Sequence, residues 1–239
     1  MRKFILISLF MPLLLLSGCS SKEKENDPPK EPEAKEKIKV ACIGDSLTYG
    51  HSWHNESYPV YLQNQLGEDY IVNNYGINGA SITGYGGSWN NPNERYFKKE
   101  EYRSCLDFDP NYIFIMLGSN DTANWNSARE VFKRDYYELL DGLYDNNEAV
   151  NIILMISPPV LENNGFGLVP NRITDYLNPL QKQVADEYGL DTIDVYQAFK
   201  DHDNMNSLFR NDGVHLSIEG AELVTSLINN YLSNNKDTL

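Results

Sequence analysis

IKVACIGDSLT, residues 38–48, is the stretch that decides the fold. Its first six residues are apolar apart from Lys39, and such a run predicts a strand covered on both faces of a sheet. Gly44 then lets the backbone turn tightly into Asp45 and Ser46. A serine at a strand-to-helix turn exposes its hydroxyl at the sheet edge, where the positive end of the next helix favours an oxyanion. The segment therefore predicts an α/β protein with Ser46 as a candidate nucleophile, although Thr at position 48 rules out a G-x-S-x-G elbow.

Outward from this stretch, apolar runs alternate with helical patterns. Further strands are predicted at residues 70–72, 112–117, 151–156 and 192–195, and helices at residues 58–66, 128–144, 175–188 and 218–232. Ser217 is the predicted N-cap of the last helix. This order predicts an open parallel sheet with helices on both faces. Ligands bind at the carboxyl ends of the strands in such sheets, so loops 75–94, 118–127 and 157–172 are the expected walls of a site.

The N-terminus has the pattern of a bacterial lipoprotein leader. Arg2 and Lys3 precede an apolar run at residues 4–16, which is short for a membrane span and matches the h-region of a signal peptide. Leu16-Ser17-Gly18-Cys19 resembles a lipobox, whose cysteine is acylated. An ordinary secretory signal is the alternative.

The leader divides the chain into three predicted parts. These are a lipoprotein signal peptide at residues 1–18, a lipidated Cys19 with a flexible tether over residues 19–36, and a folded domain over residues 37–239. The tether is rich in Lys, Glu, Asp and Pro, and cannot bury enough apolar surface to become ordered. The implied location is the bacterial cell envelope, at the outer membrane, with the lipid as the only membrane contact.

Composition excludes several classes of function. A net charge of −14 argues against nucleic-acid binding, because an acidic surface repels phosphate backbones. With Cys19 acylated, only Cys42 and Cys105 remain, and both are predicted to be buried small hydrophobes; whether they pair stays open. The sequence has no paired-cysteine metal spacing, and we expect neither a metal nor a cofactor.

A candidate base and its partner lie near the C-terminus. A serine nucleophile needs a base, and an imidazole base needs an acceptor that fixes its tautomer. Asp212 and His215 are three residues apart on one predicted loop, immediately before the last helix. Because both groups belong to one short segment, the spacing predicts a base and its orienting carboxylate.

Four blocks together resemble the SGNH (GDSL-type) hydrolase family. They are residues 44–47 (Gly-Asp-Ser-Leu), 74–80 (Asn-Tyr-Gly-Ile-Asn-Gly-Ala), 118–121 (Gly-Ser-Asn-Asp) and Asp212-x-x-His215. They occur in the order and spacing of the family, and the resemblance extends over residues 37–232. Asp45 and Asp121 within these blocks are expected to brace turns through backbone hydrogen bonds.

The resemblance implies a flavodoxin-like, three-layer α/β/α sandwich with a central five-stranded parallel sheet. It also implies ester hydrolysis without a metal, in which Ser46 attacks the carbonyl, His215 takes its proton and Asp212 orients His215. The oxyanion hole would comprise the backbone N–H groups of Ser46 and Gly79 and the side-chain amide of Asn120. An acyl-serine intermediate would then be hydrolysed by water.

Aromatic residues near the blocks bear on the substrate. Trp89 lies in an insert after the second block, and Trp125 follows the third. Aromatic faces beside amide groups suit a pyranose ring, whereas packing of these rings onto the core is the alternative. The layout resembles sialate and xylan O-acetylesterases of the family, although Leu216-Ser217 stands where many of them have Pro-Asn.

Three functional hypotheses follow. The first is an esterase that removes acyl groups, above all O-acetyl groups, from an envelope glycan. The second is a lysophospholipase or broad acyl esterase, which would need an apolar groove that the polar loops do not suggest. The third is a catalytically idle glycan-binding lipoprotein, which would have no need of a complete catalytic triad.

Overall fold

Five parallel strands form one sheet in the computed structural model, which describes residues 36–86 and 90–235. The strands are β1 (Ile38–Gly44), β2 (Tyr70–Gly76), β3 (Tyr112–Met116), β4 (Asn151–Ile156) and β5 (Asp191–Asp194). Their order across the sheet is β2-β1-β3-β4-β5, which is the flavodoxin-like order. The predicted five-stranded parallel sheet is therefore confirmed.

Helices cover both faces of the sheet and complete the predicted three-layer sandwich. In the described part of the chain they are α1 (Ser46–Tyr49), α2 (Tyr58–Leu66), α3 (Glu100–Phe108), α4 (Trp125–Ala128), α5 (Phe132–Asn146), α6 (Pro170–Arg172), α7 (Asn178–Tyr188), α8 (Val195–Lys200) and α9 (Ile218–Asn234). Helix α2 packs against α9, and α5 packs against α7. The Ser217 hydroxyl accepts a 3.1 Å hydrogen bond from the N–H of Gly220, so the predicted N-cap of α9 is confirmed.

The helix predicted at residues 128–144 is two helices in the structure. Helix α4 ends at Ala128 and α5 begins at Phe132, and between them Val131 adopts φ −120° and ψ −7°, outside the helical region. Apolar spacing runs through this break without interruption, so the pattern alone could not reveal it.

The helix predicted at residues 175–188 begins differently from the prediction. Residues Ile173–Leu177 form a π-helical turn, and α7 starts only at Asn178. Pro179 lies in the first turn of α7, where its missing N–H costs nothing. The proline was the local signal for this start.

Strand β2 is longer than predicted because its polar residues lie at the edge of the sheet. It pairs only with β1, and Asn73 and Asn74 are half-buried rather than part of the apolar core. Val195, assigned to a strand by its sequence, instead begins α8, which the Asp194 side chain caps through the N–H of Gln197. Helix α8 had no predicted counterpart.

Both remaining cysteines behave as buried hydrophobes. Cys42 and Cys105 are fully buried and do not form a disulfide with each other, which the sequence had left open. Burial disfavours the thiolate, which raises the pKa of Cys42 and raises that of Cys105 to about 12. Neither is suited to nucleophilic chemistry.

The switch point of the sheet places the blocks together. Chain order reverses on either side of β1, whose neighbours are β2 and β3, and ligands bind at such a point. Ser46 follows β1, Gly79 follows β2 and Asn120 follows β3.

The predicted signal peptide, Cys19, the tether up to residue 35 and Trp89 lie outside the described residues. Within residues 36–86 and 90–235, no helix combines the length and hydropathy that a bilayer span requires.

Substitution of Gly76 by alanine is expected to destabilise the junction between β2 and α1. A Cβ at Gly76 would lie 2.3 Å from the backbone nitrogen of Tyr49, which cannot yield as a flexible side chain would. Such overpacking lowers the free energy of unfolding by about 1–3 kcal/mol, to be measured by urea denaturation. Gly165→Ala is the control, because its Cβ would meet only ordinary contacts at 3.8 Å. Equal midpoints for both variants would contradict this account.

Candidate active site

The turn after β1 holds Ser46 at the start of α1. The Asp45 side chain accepts the N–H of Leu47 at 2.9 Å and so caps this helix. A Cβ at Gly44 would lie 2.7 Å from the carbonyl oxygen of Met116, so only glycine lets β1 turn this close to β3. Ser46 is half-buried, and as the first helical residue it has no intrahelical acceptor for its N–H.

The loop before α9 brings the other two predicted residues to Ser46. Nε2 of His215 lies 2.9 Å from Oγ of Ser46, and Nδ1 of His215 lies 2.8 Å from Oδ2 of Asp212. The other carboxylate oxygen, Oδ1 of Asp212, accepts the backbone N–H groups of Val214 and His215, each at 2.9 Å. One aspartate thus fixes both the imidazole ring and the loop that carries it. The structure brings together Ser46, Asp212 and His215.

The protonation states of this pair suit a general base. Burial lowers the pKa of His215 because it disfavours the charged ring, and the hydrogen bond and charge of Asp212 oppose this without reversing it. Partial burial acts to raise the pKa of Asp212, but hydrogen bonds from Val214 N–H and the His215 ring outweigh it, and the net pKa is lowered. At neutral pH a neutral imidazole therefore faces the serine, with an ionised carboxylate behind it.

Arg210 ties this loop to the segment after α1. Its backbone N–H donates to the carbonyl of His215 at 2.7 Å, and its Nε donates to the carbonyl of Leu216 at 3.0 Å. The guanidinium pairs with Glu56 and lies over the ring of Trp53, 4.2 Å from the centroid. The loop is therefore fixed by its neighbours as well as by Asp212.

The segments that follow β1, β2 and β3 each present an N–H hydrogen that no described residue accepts. Gly79 adopts φ +75° in the turn closed by Ala80 N–H and Ile77 C=O, and its own N–H meets no acceptor among the described residues. The N–H of Ser46 is likewise unpaired there. The side-chain amide of Asn120 donates one hydrogen to the Ala80 carbonyl at 2.9 Å, which leaves its second hydrogen available. The bond to Ala80 links the block of Asn120 to the block of Gly79.

Asp121 braces the loop after β2, as predicted. Its carboxylate accepts the N–H groups of Ile82 and Thr83, each at 2.9 Å, and the Thr83 hydroxyl at 2.6 Å. Burial nevertheless raises the pKa of Asp121 to about 6 and that of Asp45 to about 7, with the charge of Asp121 adding to the latter. Both aspartates are buried behind Ser46 and Asn120, where they hold turns.

Trp125 is buried in the core, which favours the packing alternative. Only 6% of it is exposed, and its ring packs against Phe132 and Tyr176 with centroids 6.1 Å and 6.0 Å away. Its accessible edge lines a cleft of about 510 Å³ together with Arg172 and Tyr176. A contact between Trp125 and substrate stays a prediction.

The sequence did not predict the aromatic surroundings of His215. The ring of His51 stacks on that of His215, and Phe166 packs edge-on against both. His51, four residues after the end of the first block, was a weak local signal, because the chain has only four histidines. In the described ranges, no group of three His, Cys, Asp or Glu side chains is arranged to hold a metal ion.

Several known proteins are similar to this chain. A model described as the GDSL-like Lipase/Acylhydrolase family matches residues 42–223. An acetylxylan esterase from Xylanibacter ruminicola is 28% identical over 235 residues, which cover 90% of this chain and 46% of the relative. The uncharacterized lipoprotein YqeF of Bacillus subtilis is 29% identical over 175 residues, 69% of this chain and 60% of the relative. This chain therefore spans only part of the length of these curated relatives.

Solved structures share the fold. A lipase/acylhydrolase from Enterococcus faecalis has a TM-score of 0.62 at 22% identity, covering 83% of this chain and 96% of that one. A carbohydrate acetylesterase family member from Sinorhizobium meliloti has a TM-score of 0.58 at 23% identity, covering 82% and 97%. The structural likeness shows the fold alone, but the family model matches most of the chain, including all four blocks in full. On this evidence the chain belongs to the GDSL-like lipase/acylhydrolase family, as the resemblance to SGNH hydrolases implied.

Proposed function

We propose that this chain is a serine esterase that removes acyl groups, above all O-acetyl groups, from carbohydrates. The observation that carries the proposal is the unbroken hydrogen-bond chain from Asp212 through His215 to Ser46, at 2.8 Å and 2.9 Å. A binding protein would have no use for a neutral imidazole aimed at a serine hydroxyl and backed by an ionised carboxylate.

Each group has one role in the proposed reaction. Oγ of Ser46 attacks the ester carbonyl as Nε2 of His215 takes its proton, and Asp212 stabilises the imidazolium that results. The imidazolium then gives the proton to the departing alcohol, which leaves an acyl-serine. Water, activated by His215, attacks this acyl group and regenerates Ser46. No step requires a metal.

The oxyanion would be held by the three unpaired donors of Ser46, Gly79 and Asn120. Neutral donors fixed in advance stabilise the negative charge of the tetrahedral intermediate without reorganising at the moment of reaction. Asn120 is held ready by its bond to the Ala80 carbonyl. Its free amide hydrogen is the one side-chain donor of the three.

Asn120→Ala is expected to lower kcat by about 10²–10³-fold while KM changes little, because the donor acts on the transition state. Steady-state kinetics on p-nitrophenyl acetate measures both constants. Asn124→Ala is a matched control, since Asn124 lies in the same loop as Asn120 and has no proposed catalytic role. Its side-chain amide likewise donates a hydrogen bond to a backbone carbonyl, that of Tyr85, at 2.7 Å. Similar losses in both variants would make Asn120 a structural residue only.

A short acyl group is favoured by the space beside Ser46. The recess that Ser46 and His215 line with Leu47 and Trp53 measures about 10 Å³, close to the space that one water molecule occupies. A long acyl chain needs an extended apolar groove, and this recess does not provide one in the described residues. An acetyl methyl group is the best match.

A carbohydrate substrate is favoured by a polar cleft next to the Asp212 loop. This cleft of about 650 Å³ is lined by Asn211 and Gly213 on either side of Asp212, and by further polar groups of Asn163, Asn206 and Tyr196. Amide and phenol groups suit a hydroxyl-rich ligand. The acetylxylan esterase of Xylanibacter ruminicola gives a substrate class to test first.

The proposed function is tested by the acyl preference and by the sugar. Hydrolysis of p-nitrophenyl acetate, butyrate and octanoate is compared first, and acetate release from acetylated xylan and from O-acetylated sialic acid follows. We expect the rate to fall with chain length, and xylan to be preferred to sialic acid. Preference for octanoate would indicate a lipid esterase. A failure of a fluorophosphonate to label Ser46 would indicate an idle binding protein.

We also propose that the chain is anchored in the bacterial envelope by lipid on Cys19. Support comes from the leader of residues 1–18, the lipobox ending at Cys19, and the description of the relative YqeF as a lipoprotein. Palmitate labelling in a bacterial host is expected for the wild type and lost in Cys19→Ser, which then appears in the soluble fraction. Cys42→Ser is the control and should keep the label. Labelling of Cys19→Ser would overturn this assignment.

A further inference from the structure

His51 is stacked face to face on the proposed base. The two imidazole rings are 4.1 Å apart between centroids and inclined by 9°. Phe166 lies edge-on to both, 5.0 Å from His215 and 6.2 Å from His51. Rings packed in this way restrict the rotation of His215 about its side-chain bonds, in addition to its hydrogen bonds with Asp212 and Ser46.

The backbone holds His51 in this position at a conformational cost. Its φ of +41° lies in the left-handed region, which non-glycine residues rarely adopt. Both Gly50 and His51 donate their N–H groups to the carbonyl of Ser46, at 3.0 Å and 3.1 Å. Unfavourable backbone conformations persist where the surroundings hold them, and they are concentrated at functional sites. Here the nucleophile residue itself fixes the chain that presents the second imidazole.

The ring of His51 has one nitrogen that nothing satisfies. Nδ1 is buried and has no hydrogen-bond partner in the described part of the chain. A proton on Nδ1 would be a buried donor without an acceptor, so this geometry favours the tautomer with its proton on Nε2. The other two histidines outside the site differ, because His54 bonds to the Tyr49 carbonyl at 2.7 Å and His202 faces Glu219 at 3.5 Å.

Few charges surround the stacked pair. Asp212 contacts the edge of His215, whereas Arg210 and Glu56 line the adjacent recess and pair with each other. The loop that carries Phe166 contributes Glu162, which lines the separate polar cleft. On its stacked face, His215 therefore meets another imidazole. A positive charge on either ring opposes a proton on the other at this distance, and His51 accordingly contributes to the lowered pKa of His215.

We propose that His51 is a positioning residue for the esterase reaction, whose stacked ring keeps His215 aligned with Ser46 and preserves its neutral form in mildly acidic conditions. The inference rests on the proposed role of His215 as the base. It assigns a function to a residue outside the triad and the oxyanion hole. It also implies that the pH below which the enzyme loses activity depends on both imidazoles, His51 and His215.

Two substitutions separate alignment from charge. His51→Phe keeps a stacked ring of similar shape but removes the titrating group. It should retain kcat within about twofold at its optimum while the acid limb of kcat/KM moves up by about half a pH unit or more. His51→Asn fits the left-handed backbone but cannot stack. It should lower kcat about fivefold to tenfold with little change in KM.

The titration of His215 is followed by NMR of ¹³C-labelled histidine in the full chain, so that this readout does not depend on turnover. The titration midpoint of His215 should rise in His51→Phe and also in His51→Asn. If the phenylalanine variant does not fold, the asparagine variant alone provides this test. His202→Asn is the matched control and should change neither the titration of His215 nor the acid limb.

If His51→Phe changed neither the titration midpoint of His215 nor the acid limb of kcat/KM, His51 would have no electrostatic effect on His215. A wild-type kcat in His51→Asn, or a loss confined to KM, would overturn the role in alignment. If no variant or wild type hydrolysed esters but the NMR midpoints shifted as expected, the proposed function would fail while the coupling of the two imidazoles stood.

Discussion

Replacing Ser46 with alanine is expected to lower kcat on p-nitrophenyl acetate by about 10⁶-fold, to the residual level that binding and the oxyanion donors support. The reason is that, within residues 36–86 and 90–235, no other hydroxyl contacts Nε2 of His215, which lies 2.9 Å from Oγ of Ser46. Stability should change little, because Oγ makes no other hydrogen bond in the described residues. Active-site titration with a fluorophosphonate checks the same atom independently.

Ser226→Ala is the matched control for this experiment. Ser226 lies exposed on α9, and its hydroxyl donates only to the carbonyl of Glu222 at 2.9 Å, so wild-type kinetics are expected. A rate for Ser46→Ala within about tenfold of the wild type would remove the serine from the mechanism. The fold and the family membership would be unaffected by that outcome.

The parts of the fold that depend on local sequence were predictable. The continuous apolar run of β1 gave a buried strand, and the Gly-Asp-Ser turn after it placed Ser46 at the sheet edge, as found. Ser217 as an N-cap likewise depends on a bond within its own turn. Asp212 and His215 are on one short loop, so their contact also follows from local spacing.

Features that depend on tertiary packing were not predictable in the same way. The break between α4 and α5 leaves the apolar spacing intact, and the π-helical turn at Ile173–Leu177 moves the start of α7 without altering its apolar pattern. Trp125 had two interpretations, and only its packing against Phe132 and Tyr176 distinguishes them. Fold class follows from the order of elements, whereas their exact bounds depend on neighbours.

The candidate site shows the same division. The candidate triad and the three candidate oxyanion donors were predicted from four blocks whose order matches a family, since Ser46 and His215 are too far apart in sequence for a local pattern to predict their contact. The bond from Asn120 to the Ala80 carbonyl and the stack of His51 on His215 were not anticipated. Both contacts join segments that are far apart in the chain, and the presence of an asparagine or a histidine in the sequence does not indicate such a contact.

Asp212→Asn is the second substitution with a large expected effect, a loss of about 10⁴-fold in kcat with the fold retained. The asparagine Oδ1 can still accept the N–H groups of Val214 and His215, so the loop keeps its shape. The amide nitrogen that replaces Oδ2 can only donate, however, and Nδ1 of His215 must then accept. The ring is driven to the tautomer with its proton on Nε2, which cannot take the proton of Ser46.

Asp194→Asn matches this change in geometry but lies outside the site. Its Oδ1 accepts the N–H of Gln197 at 2.9 Å, and its Oδ2 pairs with Lys182 at 2.8 Å, so the same substitution removes a charge while a backbone bond is kept. We expect wild-type kcat from it and similar urea midpoints for both variants. Raising the pH should not restore the activity of Asp212→Asn, because the His215 ring is already neutral and carries its proton on the wrong nitrogen. An Asp212→Asn enzyme with a kcat close to that of the wild type at neutral pH would show that the carboxylate is not needed to set the tautomer of His215.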